Sequence, residues 1–153
     1  AYTFIILNNK GTPCVFYPDY YGSNIIKDNK LINIINNKKW IDKLLFLRKF
    51  ISDNSIYYNY INDDNIASWG LINKIEPHKS FIIIMNKNNN KTSKTLNFHH
   101  SNMTYYEIIQ NKSHTNYIKS NKIGVATFFV NKLSIAIWTT KYIAELFYQE
   151  FNE

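Results

Sequence analysis

A single cysteine, Cys14, stands among 153 residues, so no internal disulfide framework holds this chain together. Apolar runs are short. None approaches the roughly 20 residues that a membrane-spanning helix needs, and no membrane partner is expected. Glycine is scarce as well, and its four copies fall into neither GxGxxG nor GxxxxGK, which removes a phosphate-cradling loop. Metal-ligand spacing is also missing. His99 and His100 form one adjacent pair, and neighbours on a strand point to opposite faces, so a shared zinc ion is excluded. His78 and His114 stand apart and read as turn residues.

Positive charge and aromatic surface are abundant. Eighteen Lys and Arg against eleven Asp and Glu give a formal net charge of +7 and an isoelectric point near 9.4. That balance suggests a nucleic-acid binder, but the lysines are scattered rather than gathered on one stripe, so no nucleic-acid partner is expected. Asn, Lys, Ile, Tyr and Phe are over-used together, as an AT-rich coding sequence would produce. Hydrophobic residues make up 45% of the chain, enough for a packed core rather than disorder.

Two periodicities divide the chain. Residues 1–7, AYTFIIL, are apolar nearly all round and read as a helix inside a larger body, stopped by Asn8, Asn9, Lys10 and Gly11. The chain opens on Ala in mid-pattern rather than on Met, so an upstream segment is expected. Residues 14–17 form a continuous apolar run suited to a buried parallel strand, with Cys14 as a small apolar filler and Pro13 at its start. Residues 23–37 read as a loop with one helical turn. Residues 38–51 carry Trp40, Leu44, Leu47 and Ile51 on one helical face.

After residue 54 the period falls to two. Strands are expected at 55–61, 65–72, 80–86, 95–98, 104–109, 125–130 and 133–139, with a tight hairpin at Asn131 and Lys132 and a turn at Asp63 and Asp64. Such short, regularly spaced strands argue for a β-sandwich. Tyr57, Tyr58 and Tyr60 could stack on sugars or bases, though strand and rim packing is the commoner use. In the last dozen residues, Ile143, Leu146, Phe147 and Phe151 share a helical face, which would cap the sandwich or dock another chain.

Residues 11–22, GTPCVFYPDYYG, and the helix before them resemble the seventh helix, eighth strand and following loop of the alpha-amylases, glycoside hydrolases built on a (β/α)8 barrel. Residues 38–51 are similar to the family's eighth helix. NIASW at 65–69, FIIIM at 81–85 and the segment 125–138 follow the order of its C-terminal Greek-key domain. The resemblance implies an α+β chain: the last helix-strand-helix of a (β/α)8 TIM barrel at 1–54, an antiparallel Greek-key β-sandwich at 55–140, and an extra C-terminal helix at 141–153.

It further implies hydrolysis of internal α-1,4-glucosidic bonds of starch or glycogen with retention. That reaction needs an acid and a nucleophile carboxylate about 5 Å apart. In the family these groups, with a third Asp, lie on earlier strands. No catalytic residue is therefore expected here, and the isolated chain should be inactive. The expected partners are the missing N-terminal barrel segment and the α-glucan substrate. Tyr17 and Asp19 would border the substrate cleft, as an aromatic platform and a hydroxyl acceptor. Alternatively Tyr17 packs under the rim and Asp19 organises its own loop through an Asx-type bond.

Pro18 departs from the family, which usually has Gly there, and proline fixes φ near −65°. Some bacterial relatives hold a calcium with carboxylates at positions corresponding to Asn65 and Asn86, beside Asp64. Amides make weaker ligands than carboxylates, and the family's main calcium site would lie upstream. The alternative to an enzyme fragment is a non-catalytic β-sandwich, a glucan-binding or interaction module left by a split or decayed gene.

Overall fold

The computed structural model describes residues 1–60, 64–110 and 116–151, so Asp63, His114 and the final residue of the 55–61 strand lie outside it. The chain divides into two compact units, Ala1–Ile51 and Ser52–Glu153.

The first unit is built around helix α3, Lys38–Arg48. Ile41, Leu44 and Leu47 recur every three residues and are buried, while Lys38 and Asp42 pair across one turn on the wetter side at 2.6 Å. Helix α1, Tyr2–Ile6, packs on α3. Its last carbonyls have no partners within so short a helix, and Arg48 supplies them. One guanidinium nitrogen donates to the Ile6 carbonyl at 2.7 Å and to that of Asn8, and the other donates to the Gly11 carbonyl at 3.0 Å. Gly11 has a left-handed φ of +74°, but it lies beyond the helix end at Leu7. Phe4 and Ile5 remain about 40% exposed.

Two expectations for this unit are corrected. Residues 14–17 form no strand: the chain is extended to Phe16, and Tyr17–Tyr21 is a short helix, α2. A parallel strand exists only by pairing, and no described strand pairs with this segment. Pro18, in the first turn of α2, has the fixed φ that a helix start accepts. Cys14 is accordingly exposed rather than a buried filler.

Residues 23–37 are also not a loop with a helical turn. Ser23–Lys27 (β1) and Lys30–Ile34 (β2) form an antiparallel hairpin, closed by Asp28 and Asn29 at φ +52° and +58°. Both central residues being left-handed is the signature of a type I′ turn, which Asp and Asn tolerate.

The second unit is all antiparallel apart from its last helix. Six strands pair in the order β3 (Ser55–Asn59), β4 (Ile66–Asn73), β5 (Phe81–Asn86), β10 (Ser134–Thr140), β7 (Thr104–Glu107) and β8 (Tyr117–Lys119). A second sheet pairs β6 (Thr92–Asn97) with β9 (Val125–Val130). Alternation makes the layer between them: Ile82 and Ile84 from β5 and Trp138 from β10 share a core with Phe128 and Val130 of β9 and with Phe98, just past the end of β6.

Gly70 on β4 admits the Phe98 ring, since a Cβ built there would sit 2.4 Å from Phe98 Cε1. Asn131 and Lys132 do not form a hairpin. β9 and β10 belong to different sheets, and an exposed connection at 131–133 carries the chain from one to the other, so that Phe128 and Trp138 meet edge to face across the layer at 5.8 Å. His99 and His100 lie past the end of β6 rather than on a strand, with His99 at φ +58°.

Helix α4, Lys141–Phe151, follows β10 directly and packs against β7, β10 and a one-turn 3-10 helix at Pro77–Lys79. Its buried residues are Ile143, Ala144, Phe147 and Tyr148, a face rotated from the expected one by the replacement of Leu146 and Phe151. The Tyr148 hydroxyl donates to the Glu107 carbonyl at 3.1 Å and anchors that rotation.

Candidate functional site

The residues expected to meet substrate sit on α2 and its flanks. Tyr17 opens the helix and is 69% exposed, so it does not pack under a rim. Tyr21, one turn later, is 53% exposed, and the two ring centroids lie 4.6 Å apart. Spacing of four residues on a helix places them side by side as one aromatic surface.

Asp19 makes no Asx-type bond to its own loop. Its Oδ2 accepts the Tyr2 hydroxyl at 2.5 Å, and the Tyr2 oxygen in turn accepts the Phe16 N–H at 3.2 Å. The hydrogen bond to Asp19 raises the Tyr2 hydroxyl above its ordinary pKa of 10.0, because losing that proton would leave two anions facing each other. The Asp19 carbonyl accepts the Asn37 N–H at 2.9 Å, just before α3 begins. The sequence carries no local signal for the Tyr2–Asp19 bond, whose partners are 17 residues apart.

Tyr20, whose ring meets that of Tyr21 edge to face at 4.7 Å, donates to Asp42 Oδ1 at 2.5 Å, while Lys38 donates to Asp42 Oδ2. Burial pushes the Asp42 carboxyl up, but the bonds from Lys38 and Tyr20 outweigh it and hold the group below its ordinary range. Asp42 is therefore a paired anion that fastens α2 to α3. The α2 surface offers ring faces and one oriented carboxylate, which is equipment for binding rather than for a two-carboxylate reaction.

The three expected metal ligands are partly brought together. Ile66, next to Asn65, pairs with Asn86 across β4 and β5, and the Lys87 N–H donates to the Asn65 carbonyl at 3.0 Å. Asp64 and Asn65 are exposed, whereas Asn86 is buried. Its amide nitrogen donates to the carbonyls of Asn90 and Asn131, both at 2.9 Å, and its oxygen accepts the Asn88 N–H at 2.8 Å. This amide is engaged in holding the turn after β5, and it does not fit a calcium ligand, which must point oxygen lone pairs at the ion. Among the described residues no group of three or more His, Cys, Asp or Glu gathers at metal-binding distance. No helix among them is long and apolar enough to cross a membrane.

No family model matches the chain. An alpha-amylase of Geobacillus stearothermophilus is 29% identical over 143 residues, covering 92% of this chain and 24% of that protein. A cytoplasmic alpha-amylase of Escherichia coli is 23% identical over 142 residues, covering 90% of this chain and 28% of that one. Among solved structures, a pullulanase from an Anoxybacillus species superposes with a TM-score of 0.55 at 12% identity, over 90% of this chain and 22% of its own, a likeness of fold. The chain spans about a quarter of the length of the curated relatives it matches. It is similar to alpha-amylases over nine-tenths of its length, a likeness that supports the C-terminal part of a protein of that family.

Proposed function

We propose that this chain serves an enzyme that hydrolyses internal α-1,4-glucosidic bonds of starch or glycogen with retention. Residues 1–54 end its (β/α)8 barrel, residues 55–140 form its Greek-key domain, and residues 141–153 add a helix. The similarity of nine-tenths of the chain to alpha-amylases carries this reading. The acid and nucleophile come from a segment before Ala1, because Asp42 is tied up with Lys38 and Tyr20 and Asp19 is held by Tyr2. A sugar ring lies on Tyr17 and Tyr21 and donates a hydroxyl to Asp19.

The first unit supports a partner body rather than a stand-alone module. On the β1–β2 hairpin Ile26 and Leu31 are directly opposed and at least 70% exposed, and Phe16 beside α2 is 61% exposed. A two-stranded hairpin with bare apolar side chains is marginal in water and is stabilised by a covering surface. That cover is the upstream barrel segment. The test is the product stereochemistry of the full product of this gene acting on amylose: α-configured maltodextrins appear first if the mechanism is retaining.

A further inference from the structure

The second unit carries an open groove of about 550 Å³, remote in sequence from α2, where the start of α4 meets the ends of β7 and β10. Its lining includes His78, Asn102, Thr104, Tyr106, Tyr142 and Glu145. We propose that this groove is a second, non-catalytic binding site for an uncharged saccharide, an α-glucan segment. The choice of α-glucan over other saccharides rests on the function proposed above; the groove itself does not.

Three observations carry the inference. The first is size, since 550 Å³ falls in the range of about 300–1,000 Å³ typical of small-ligand sites.

The second is a set of braced aromatic rings. His78 and Tyr142 meet edge to face at 4.8 Å, and Tyr142 is 41% exposed. The His78 backbone is pinned because its carbonyl accepts the Thr140 hydroxyl. Tyr106 also lines the groove, and its ring is braced by Tyr117, its direct partner across β7 and β8, at 5.9 Å. Ring faces held by their neighbours take the C–H faces of a sugar at low entropic cost.

The third observation is charge. Lys141 and Glu145 form an i,i+4 pair at 3.5 Å, which leaves the groove near neutrality despite the basic chain. That balance disfavours a phosphate or nucleic-acid ligand, which would need uncompensated cations. Asn102, Thr104 and Glu145 together provide donors and acceptors, the mixed set that vicinal hydroxyls require.

The test titrates maltoheptaose into the whole chain by calorimetry, with cellohexaose as the parallel probe. Maltoheptaose is expected to bind, with Tyr142→Ala weakening it about tenfold and Glu145→Gln about threefold, both at unchanged circular dichroism. Glu145→Gln keeps the side-chain shape on an exposed helix position and guards against a folding artefact in the larger change. Equal binding of cellohexaose, lost in the same variants, would overturn the α-glucan assignment while keeping a saccharide groove. Absence of binding to both probes, or maltoheptaose binding that neither variant changes, would overturn the groove and leave the proposed hydrolase to its own stereochemical test.

Discussion

The Tyr2 hydroxyl and the Asp19 carboxylate, 2.5 Å apart, join the first helix of the chain to the short helix that displays Tyr17 and Tyr21. The bond fixes the Asp19 carboxylate against the first helix, so the geometry of the candidate site depends on a residue outside it. Asp19→Asn removes the anion that holds the Tyr2 proton. In a ¹³C-tyrosine NMR titration the Tyr2 resonance is expected to move from above 10.0 in the parent toward that ordinary value in the variant. A Tyr2 titration that ignores the substitution would mean that the bond does not form in solution.

Gly70 and Phe98 make a packing prediction. A methyl group at Gly70 would lie 2.4 Å from the Phe98 ring, which is buried and cannot swing away because Tyr58, Tyr60 and Phe128 each meet it edge to face. Gly70→Ala is expected to destabilise the second unit by about 1–3 kcal/mol in urea unfolding, and adding Phe98→Leu should recover part of that loss. Equal urea midpoints for parent and single variant would contradict the close approach.

Arg48 is the clamp of the first unit. Arg48→Met removes donors to the carbonyls of Ile6, Asn8 and Gly11. The expected cost is about 1.5–3 kcal/mol, as for hydrogen bonds to a charged group. It should appear as faster amide exchange and proteolysis across residues 7–11, with the second unit unaffected.

His100 makes stability depend on pH. Burial lowers its imidazole below the ordinary value of 6.5, so the folded chain favours the neutral ring. Its nearest polar partner is the hydroxyl of Tyr105, at 3.5 Å from Nδ1. The folded state therefore binds its proton at lower pH than the unfolded state does. This contribution is fully present above pH 6.5 and is lost as pH falls from there through the lower folded value. Unfolding midpoints taken between pH 7.5 and pH about 5 should fall less steeply in His100→Gln than in the parent.

Some of this was legible in the residues and some was not, for physical reasons. β9 reads directly because Ala126, Phe128 and Val130 are buried while Thr127 and Phe129 are exposed, the period of a half-buried strand. Helix α3 reads from Leu44 and Leu47 in the same way. The apolar run at 14–17 misled because a parallel strand is a property of two segments, and one alone adopts whatever its own residues allow. The β1–β2 hairpin was hidden by a turn of Asp28 and Asn29 in place of the more telling Asn-Gly, and by side chains that alternate with no buried face. At the candidate site Tyr17 and Asp19 could be named, but not the partner of Asp19, because hydrogen bonds between distant residues leave no periodic trace.

Retaining hydrolysis is decided by incubating amylose with the full product of this gene and, separately, with the 153-residue chain, and reading the anomeric form of the first products by NMR. The full product is expected to release α-anomers, and this chain alone to release no sugar. Hydrolysis by this chain alone, or inverted β-anomers from the full product, would contradict the proposed function.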